Sequence, residues 1–261
     1  MLAVFAFLFG ASVGSFLNVV VDRLPEGLSL IKPRSFCDAC QRPLGSLDLV
    51  PILSYLWLRG RCRYCSAAIP VRVMVVEAGT GLLFTIIYLR FGLGADFLVL
   101  AVAASILLVV AFIDLDRGLI LNRVIYPSVV TFLILAPAWS VLGFSNSFPG
   151  VGGILASFLN SAAAGVGAFL AFLAIWLAYP KGMGGGDVKF AGLIGLMVGF
   201  PGILAALWLS VVSGGIVAVA LVLVRGKGRK DIIHFGPFLS LGAMAVLLAG
   251  RDMGSWYTRL I

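Results

Sequence analysis

Long apolar runs recur along the whole chain, separated by short segments that carry most of the charged residues, glycines and prolines. Most runs approach the roughly 20 residues that an α-helix needs to cross the hydrocarbon core of a bilayer. We predict about eight membrane spans. The run at 188–199 is short for a full crossing, so seven spans are the alternative. The predicted spans cover residues 2–21, 73–91, 95–113, 122–142, 150–179, 188–199, 202–224 and 235–250.

The composition supports a membrane protein. Hydrophobic residues make up 61% of the 261-residue chain, charged residues only 11%, and the mean hydropathy is +1.12, whereas about a quarter of a soluble domain is charged. The predicted fold is an all-α polytopic membrane protein in contact with the lipid bilayer. No basic residue precedes the first run and no small-residue cleavage site follows it, so we interpret it as a retained helix and not a signal peptide.

The distribution of Lys and Arg predicts the orientation. The formal charge is +8, and all but three of the 19 basic residues fall in loops on one side of the predicted spans. Because basic loops stay in the cytoplasm, both termini are expected on the periplasmic side of a bacterial inner membrane. This pattern is typical of topological anchors and does not favour nucleic-acid binding. The three exceptions are Arg90, Arg251 and Arg259.

We predict three parts along the chain: a first transmembrane helix over residues 1–21, a cytoplasmic module over 22–72 and a multi-helix transmembrane domain over 73–261. The cytoplasmic module is too small to hold together easily without a staple. It contains all four cysteines, as two C-x-x-C pairs 21 residues apart, a spacing typical of a structural four-thiolate zinc site. Disulfides or inert thiols are the alternatives, and a reducing cytoplasm disfavours disulfides. The predicted ligands are Cys37, Cys40, Cys62 and Cys65.

Acidic residues are rare, and a few of them lie at predicted span ends. Asp114 and Asp116 follow one apolar run, and Asp187 precedes another on the same side of the membrane. Two neighbouring carboxyl groups cannot both ionise cheaply, so one can hold a proton while the other takes one from water, which makes peptide hydrolysis possible. A solvated helix end is the alternative for the first pair of acids.

The stretch before Asp187 is rich in glycine. A phosphate-binding loop is disfavoured, because no strand precedes the stretch and the G-x-G-x-x-G spacing is incomplete. Close helix packing through small residues is a better interpretation, and it also accounts for Gly192 and Gly195. Glycines beside an acid would in addition let a substrate backbone approach.

Several of these motifs together resemble the prepilin peptidases, a family of polytopic aspartyl proteases. The G-x-G-D signature of the family matches Gly184, Gly186 and Asp187, with Lys189 following. The other matching segments are 112–116 (FIDLD), 14–20 (GSFLNVV), 23–25 (RLP), 58–60 (LRG), Arg72 with Glu77, the paired cysteines, and 235–239 (FGPFL).

The resemblance implies cleavage of the short basic leader of type IV prepilins or type II secretion pseudopilins at the cytoplasmic membrane face. It also implies N-methylation of the new terminus with S-adenosylmethionine, for which Glu77 is the candidate residue. The catalytic pair falls on Asp114 and Asp187, and Asp116, with the signature glycines and Lys189, is expected to support the site.

The chain departs from the family pattern at two places. It has Leu121-Asn122 where the family commonly has Pro-Asp, and Val73-Met74 where it commonly has Tyr-Pro. Two other functions are the alternatives to an aspartyl protease. A transporter would carry its acids in the middle of spans and show an internal repeat. A zinc-stabilised scaffold of a secretion machine would not need Asp114. The sequence predicts neither the particular pilins nor the oligomeric state.

Overall fold

The computed structural model describes residues 1–136, 153–180, 182–225 and 234–257. Within these ranges the chain is helical, with only two isolated β-bridges, which confirms the predicted all-α membrane fold. The helices are α1 (Leu2–Arg23), α2 (Leu53–Trp57), α3 (Val71–Phe91), α4 (Ala95–Arg117), α5 (Asn122–Leu135), α6 (Ile154–Ala178), α7 (Gly185–Val198), α8 (Gly202–Arg225) and α9 (Gly236–Tyr257).

Five helices among the described residues are long and apolar enough to cross a membrane: α1, α3, α4, α6 and α8. Helix α5 and the apolar part of α9 are shorter, and part of the predicted span 122–142 lies outside the described residues. Helix α7 has 14 residues, or about 21 Å, against a hydrocarbon core of about 30 Å. The count of eight spans therefore stays a prediction.

The chain forms two compact units, Met1–Val109 and Val110–Ile261, and the division falls within α4. In the first unit, α1 packs closely against α3 through small residues. A Cβ atom on Gly10 would lie 2.8 Å from the Thr80 carbonyl oxygen, and one on Gly14 would lie 2.8 Å from Cα of Glu77. Such backbone approach is the usual basis of helix association in lipid, where the hydrophobic effect does not drive it.

In the second unit, α7 forms the centre and packs against α5, α6, α8 and α9. Ten of its 14 residues are buried, as expected of a helix that is apolar on all sides. A Cβ on Gly195 would lie 2.5 Å from the Ala164 carbonyl oxygen of α6. This contact supports the interpretation of Gly195 as a close-packing residue. Most of α7 is therefore covered by other helices despite its short length.

Candidate active site

Asp114 lies inside α4, three residues before the helix ends at Arg117, and is only 5% exposed. The backbone N–H of Gly236, the first residue of α9, donates a hydrogen bond to its Oδ2 atom at 2.9 Å. A buried carboxylate is costly unless hydrogen-bonded, and the free N–H groups at a helix start are suited to bind it. Asp114 therefore joins the end of one helix to the beginning of another.

Asp187 is the third residue of α7 and is partly buried. Its Oδ2 atom accepts a hydrogen bond from the Gly184 N–H at 3.2 Å, across the turn that begins the helix. The carboxylate of Asp114 lies close enough for the two charges to repel each other. The pairing of these two acids stays a prediction, which their electrostatic interaction favours. Each of them accepts a hydrogen bond at the beginning of a helix.

The glycines of the G-x-G-D signature differ in their surroundings. A Cβ on Gly186 would lie 2.8 Å from Cβ of Ile120, whereas one on Gly184 would have contacts no closer than 3.4 Å, to Asp187 itself. Gly186 therefore allows the start of α7 to approach the segment that follows α4. The N–H group of Gly184 donates the hydrogen bond that Asp187 accepts at the beginning of the helix.

Lys189 and Asp116 are placed differently from the two central acids. The Lys189 ammonium group donates to Oδ1 of Asn122 at 2.9 Å and lies 5.6 Å from the ring centre of Tyr126. Lys189 thus contacts α5, at the asparagine that stands in place of the family's common acid. Asp116 is exposed, because a residue two positions after Asp114 points to another side of the helix.

Sequence reasoning missed two neighbours of Asp114. Gly236 is one, and His234 is the other. The imidazole Nε2 atom lies 2.7 Å from where a Cβ on Gly118 would be, and a positive charge on this ring would stabilise the Asp114 carboxylate. Over 100 residues separate either of them from Asp114, so only the matching motif at 235–239 pointed to this region.

The four cysteines form the second candidate site, in the first unit. Their Sγ atoms all lie within 4.8 Å of one another, and those of Cys37 and Cys65 are 3.8 Å apart. A tetrahedral ion with metal–sulfur bonds of about 2.3 Å requires sulfur separations of about 3.8 Å. The predicted clustering of the four thiols is confirmed, and the cluster could hold a zinc ion.

The two C-x-x-C pairs have the same local fold. In each, the residue after the second cysteine has a positive φ, 57° at Gln41 and 60° at Ser66, and donates its N–H to the carbonyl oxygen of the first cysteine. Hydrogen bonds from backbone N–H groups, chiefly that of Tyr64 at 3.5 Å from Sγ, lower the pKa of the Cys62 thiol to about 7, whereas burial and the other cysteines raise the pKa of Cys65 to about 11. A lowered pKa favours the thiolate, the form that binds metal.

Glu77, the candidate for methyl transfer, is a buried residue of α3, 5% exposed. Its Oε2 atom accepts a hydrogen bond from the backbone N–H of Ile52 at 2.7 Å. Ile52 has φ of 63°, an unfavourable conformation for a β-branched residue. The observed contact of Glu77 is therefore structural: it holds a strained turn of the cysteine-containing segment against α3.

Two family descriptions match the chain: "Bacterial Peptidase A24 N-terminal domain" over residues 8–91 and "Type IV leader peptidase family" over residues 101–219. Three similar proteins carry the name prepilin leader peptidase/N-methyltransferase. Those of Aeromonas salmonicida and Bacillus subtilis are each 32% identical, over 98% and 97% of this chain and 93% and 97% of their own. That of Legionella pneumophila is 29% identical, over 96% of this chain and 92% of its own.

No solved structure matches the chain. The similarity to the named proteins nevertheless covers both compact units and is high enough to establish homology. The chain belongs to the type IV leader peptidase family.

Proposed function

We propose that this protein is an aspartyl endopeptidase of the bacterial inner membrane, which removes the leader of type IV prepilins or type II secretion pseudopilins and N-methylates the new terminus. The observation that carries the proposal is that Asp114 and Asp187 interact electrostatically and are each hydrogen-bonded at the beginning of a helix, in a chain that matches named peptidases over nearly its whole length.

The two carboxyl groups divide the chemistry of hydrolysis between them. One is ionised and takes a proton from the attacking water, while the other is protonated and donates to the carbonyl oxygen of the scissile peptide. The tetrahedral intermediate then collapses as the leaving amine takes up a proton. Among the residues that the structure describes, the second carboxyl oxygen of each acid accepts no hydrogen bond, which leaves it available for water or substrate.

The orientation follows from the basic loops, and Asp114 and Asp187 lie next to such loops in sequence. This supports a peptidase site at the cytoplasmic face, where a leader still attached to an inserted pilin helix would be presented. Because leader and loops are both basic, long-range attraction would not guide the substrate. We expect the apolar helix that follows the leader to supply most of the binding.

A direct test is cleavage by the purified protein. Reconstituted into vesicles and mixed with a prepilin, it should release the leader and leave a shortened pilin. With S-adenosylmethionine added, the pilin should also gain the mass of one methyl group, and mass spectrometry would resolve both steps. A prepilin with its cleavage-site residue altered serves as the control. If the protein releases no leader from any member of a panel of prepilins and pseudopilins, the proposal is wrong.

Glu77 can be assigned to methyl transfer or to structure by two substitutions. Glu77→Gln keeps an oxygen for the Ile52 N–H but removes the charge, whereas Glu77→Leu leaves that N–H without its partner, at a cost of about 1–3 kcal/mol. If the carboxylate takes part in methyl transfer, Glu77→Gln will cleave prepilin normally and methylate it at least about tenfold more slowly. Normal methylation by Glu77→Gln, with a less stable Glu77→Leu, would leave Glu77 a purely structural role.

A further inference from the structure

Helix α9 begins next to the Asp114 carboxyl group. The hydrogen bonds of its first turn explain why the Gly236 N–H is available to that carboxyl group. Pro237, the second residue, has no N–H group. The N–H groups of Phe238 and Leu239 both donate to the carbonyl oxygen of Phe235, at 3.1 Å each. Gly236 therefore holds the one N–H of this turn without a partner inside the helix, and that group donates to Oδ2 of Asp114 at 2.9 Å.

The space at this position accommodates no side chain. A Cβ atom on Gly236 would lie 2.7 Å from Oδ2, 3.0 Å from Cγ and 3.1 Å from Cβ of Asp114. Real Cβ atoms hardly ever come so near another heavy atom, so the carboxyl group would have to turn away. Glycine is required here for close approach, and its conformational freedom is not involved.

We propose that Gly236 is a positioning residue of the peptidase. Its N–H holds Oδ2 of Asp114, so that the other oxygen, Oδ1, faces the reacting groups in one fixed orientation. The inference rests on the proposed catalytic role of Asp114 and extends it to α9, a helix outside both matched family regions. A carboxyl group on a flexible side chain otherwise samples several rotations, and misplacement of about 1 Å can slow an enzyme about a hundredfold.

The first experiment compares Gly236→Ala with Gly215→Ala, a substitution in α8 where an added Cβ meets nothing within 4 Å. Prepilin cleavage is measured in vesicles over a range of substrate concentrations, together with thermal unfolding. We expect Gly236→Ala to lower kcat about 10- to 100-fold with KM changed less than about threefold, and Gly215→Ala to leave both unchanged. A purely structural role would lower the melting temperature and the amount of folded protein without this division between kcat and KM.

The second experiment removes the N–H without adding an atom. Glycolic acid in place of Gly236, introduced by cell-free translation with an acylated suppressor transfer RNA, replaces the amide with an ester. The control is the corresponding ester at Leu239, whose N–H bonds within the chain segment that begins α9. We expect kcat to fall about tenfold for the first ester and to stay within about twofold for the second. This pair decides the matter if Gly236→Ala does not fold.

Asp114→Asn, assayed in parallel, separates the two hypotheses. If Asp114→Asn is inactive while Gly236→Ala and the glycolate ester keep full kcat, the positioning role is wrong and the proposed function stands. If Asp114→Asn cleaves normally, the proposed function itself is wrong. Equal loss of kcat with both esters would also overturn the role of Gly236, because the effect would then belong to the helix beginning in general.

Discussion

Asp114→Asn and Asp187→Asn should each abolish leader cleavage, with a loss of at least about a thousandfold, while the protein remains folded in the membrane. Asparagine retains a side-chain oxygen, so the hydrogen bonds from the Gly236 and Gly184 N–H groups can still form. It can neither take up nor release a proton in the required range, and that exchange is what the mechanism needs. The measurement is the rate of leader release at saturating prepilin, with the amount of folded protein checked by thermal unfolding.

Asp116→Asn is the matched control, since it makes the same chemical change in the same helix at an exposed position. We expect it to lower the rate by less than about tenfold, through loss of a neighbouring charge. Normal cleavage by Asp187→Asn would exclude the two-aspartate mechanism. Normal assembly of pili in cells that carry Asp114→Asn would instead favour the scaffold hypothesis, which does not require that acid.

The boundaries of the apolar runs agree closely with those of α1, α3 and α4. Where the predicted and observed helix ends differ, the difference affects the candidate active site. The predicted span 95–113 stops before Asp114, but α4 continues to Arg117. Hydropathy marks where apolar residues end, whereas backbone hydrogen bonding continues through polar residues. For the same reason α7 begins at Gly185, ahead of the predicted span 188–199, so that Asp187 lies within its first turn.

Two side-chain contacts between distant segments could not be predicted from the sequence. Nothing in the pattern around Gly236 indicates that its N–H meets Asp114, because that contact depends on how the helices of the second unit pack. Lys189 is predicted to support the site around Asp187, two residues away, yet its ammonium group binds Asn122. A long flexible side chain can reach several neighbours, and only the packing of α5 against α7 decides among them.

The cysteines are the opposite case, because local spacing determined the result. Each C-x-x-C pair forms a tight turn that presents two sulfur atoms together, whatever the rest of the fold does. The sequence did not indicate which side-chain contacts stabilise the segment between α1 and α3. Asp48 contributes to this by pairing with Arg63 at 2.6 Å and accepting from the Tyr64 hydroxyl group at 3.4 Å.

Purified protein should contain about one zinc ion per chain, and Cys→Ser at any one of the four positions should release it. The four Sγ atoms lie within 4.8 Å of one another, so a bound ion would join the two turns through four metal–sulfur bonds, which the metal-free protein lacks. The segment between α1 and α3 has no regular element longer than the five residues of α2. Its folding should therefore depend on the metal, and limited proteolysis should cut it after zinc is lost.

Asp38→Asn is the control for these substitutions, since Asp38 lies between two of the ligands but is exposed. It should keep both the zinc and the resistance to protease. Leader cleavage should persist in the Cys→Ser variants, because Asp114 and Asp187 belong to the other compact unit. Elemental analysis that finds no zinc in protein purified without chelators, together with four thiols that react readily, would show that the cysteines do not form a metal staple. Loss of zinc without any new protease-sensitive site would show that the ion binds there but does not hold the segment together.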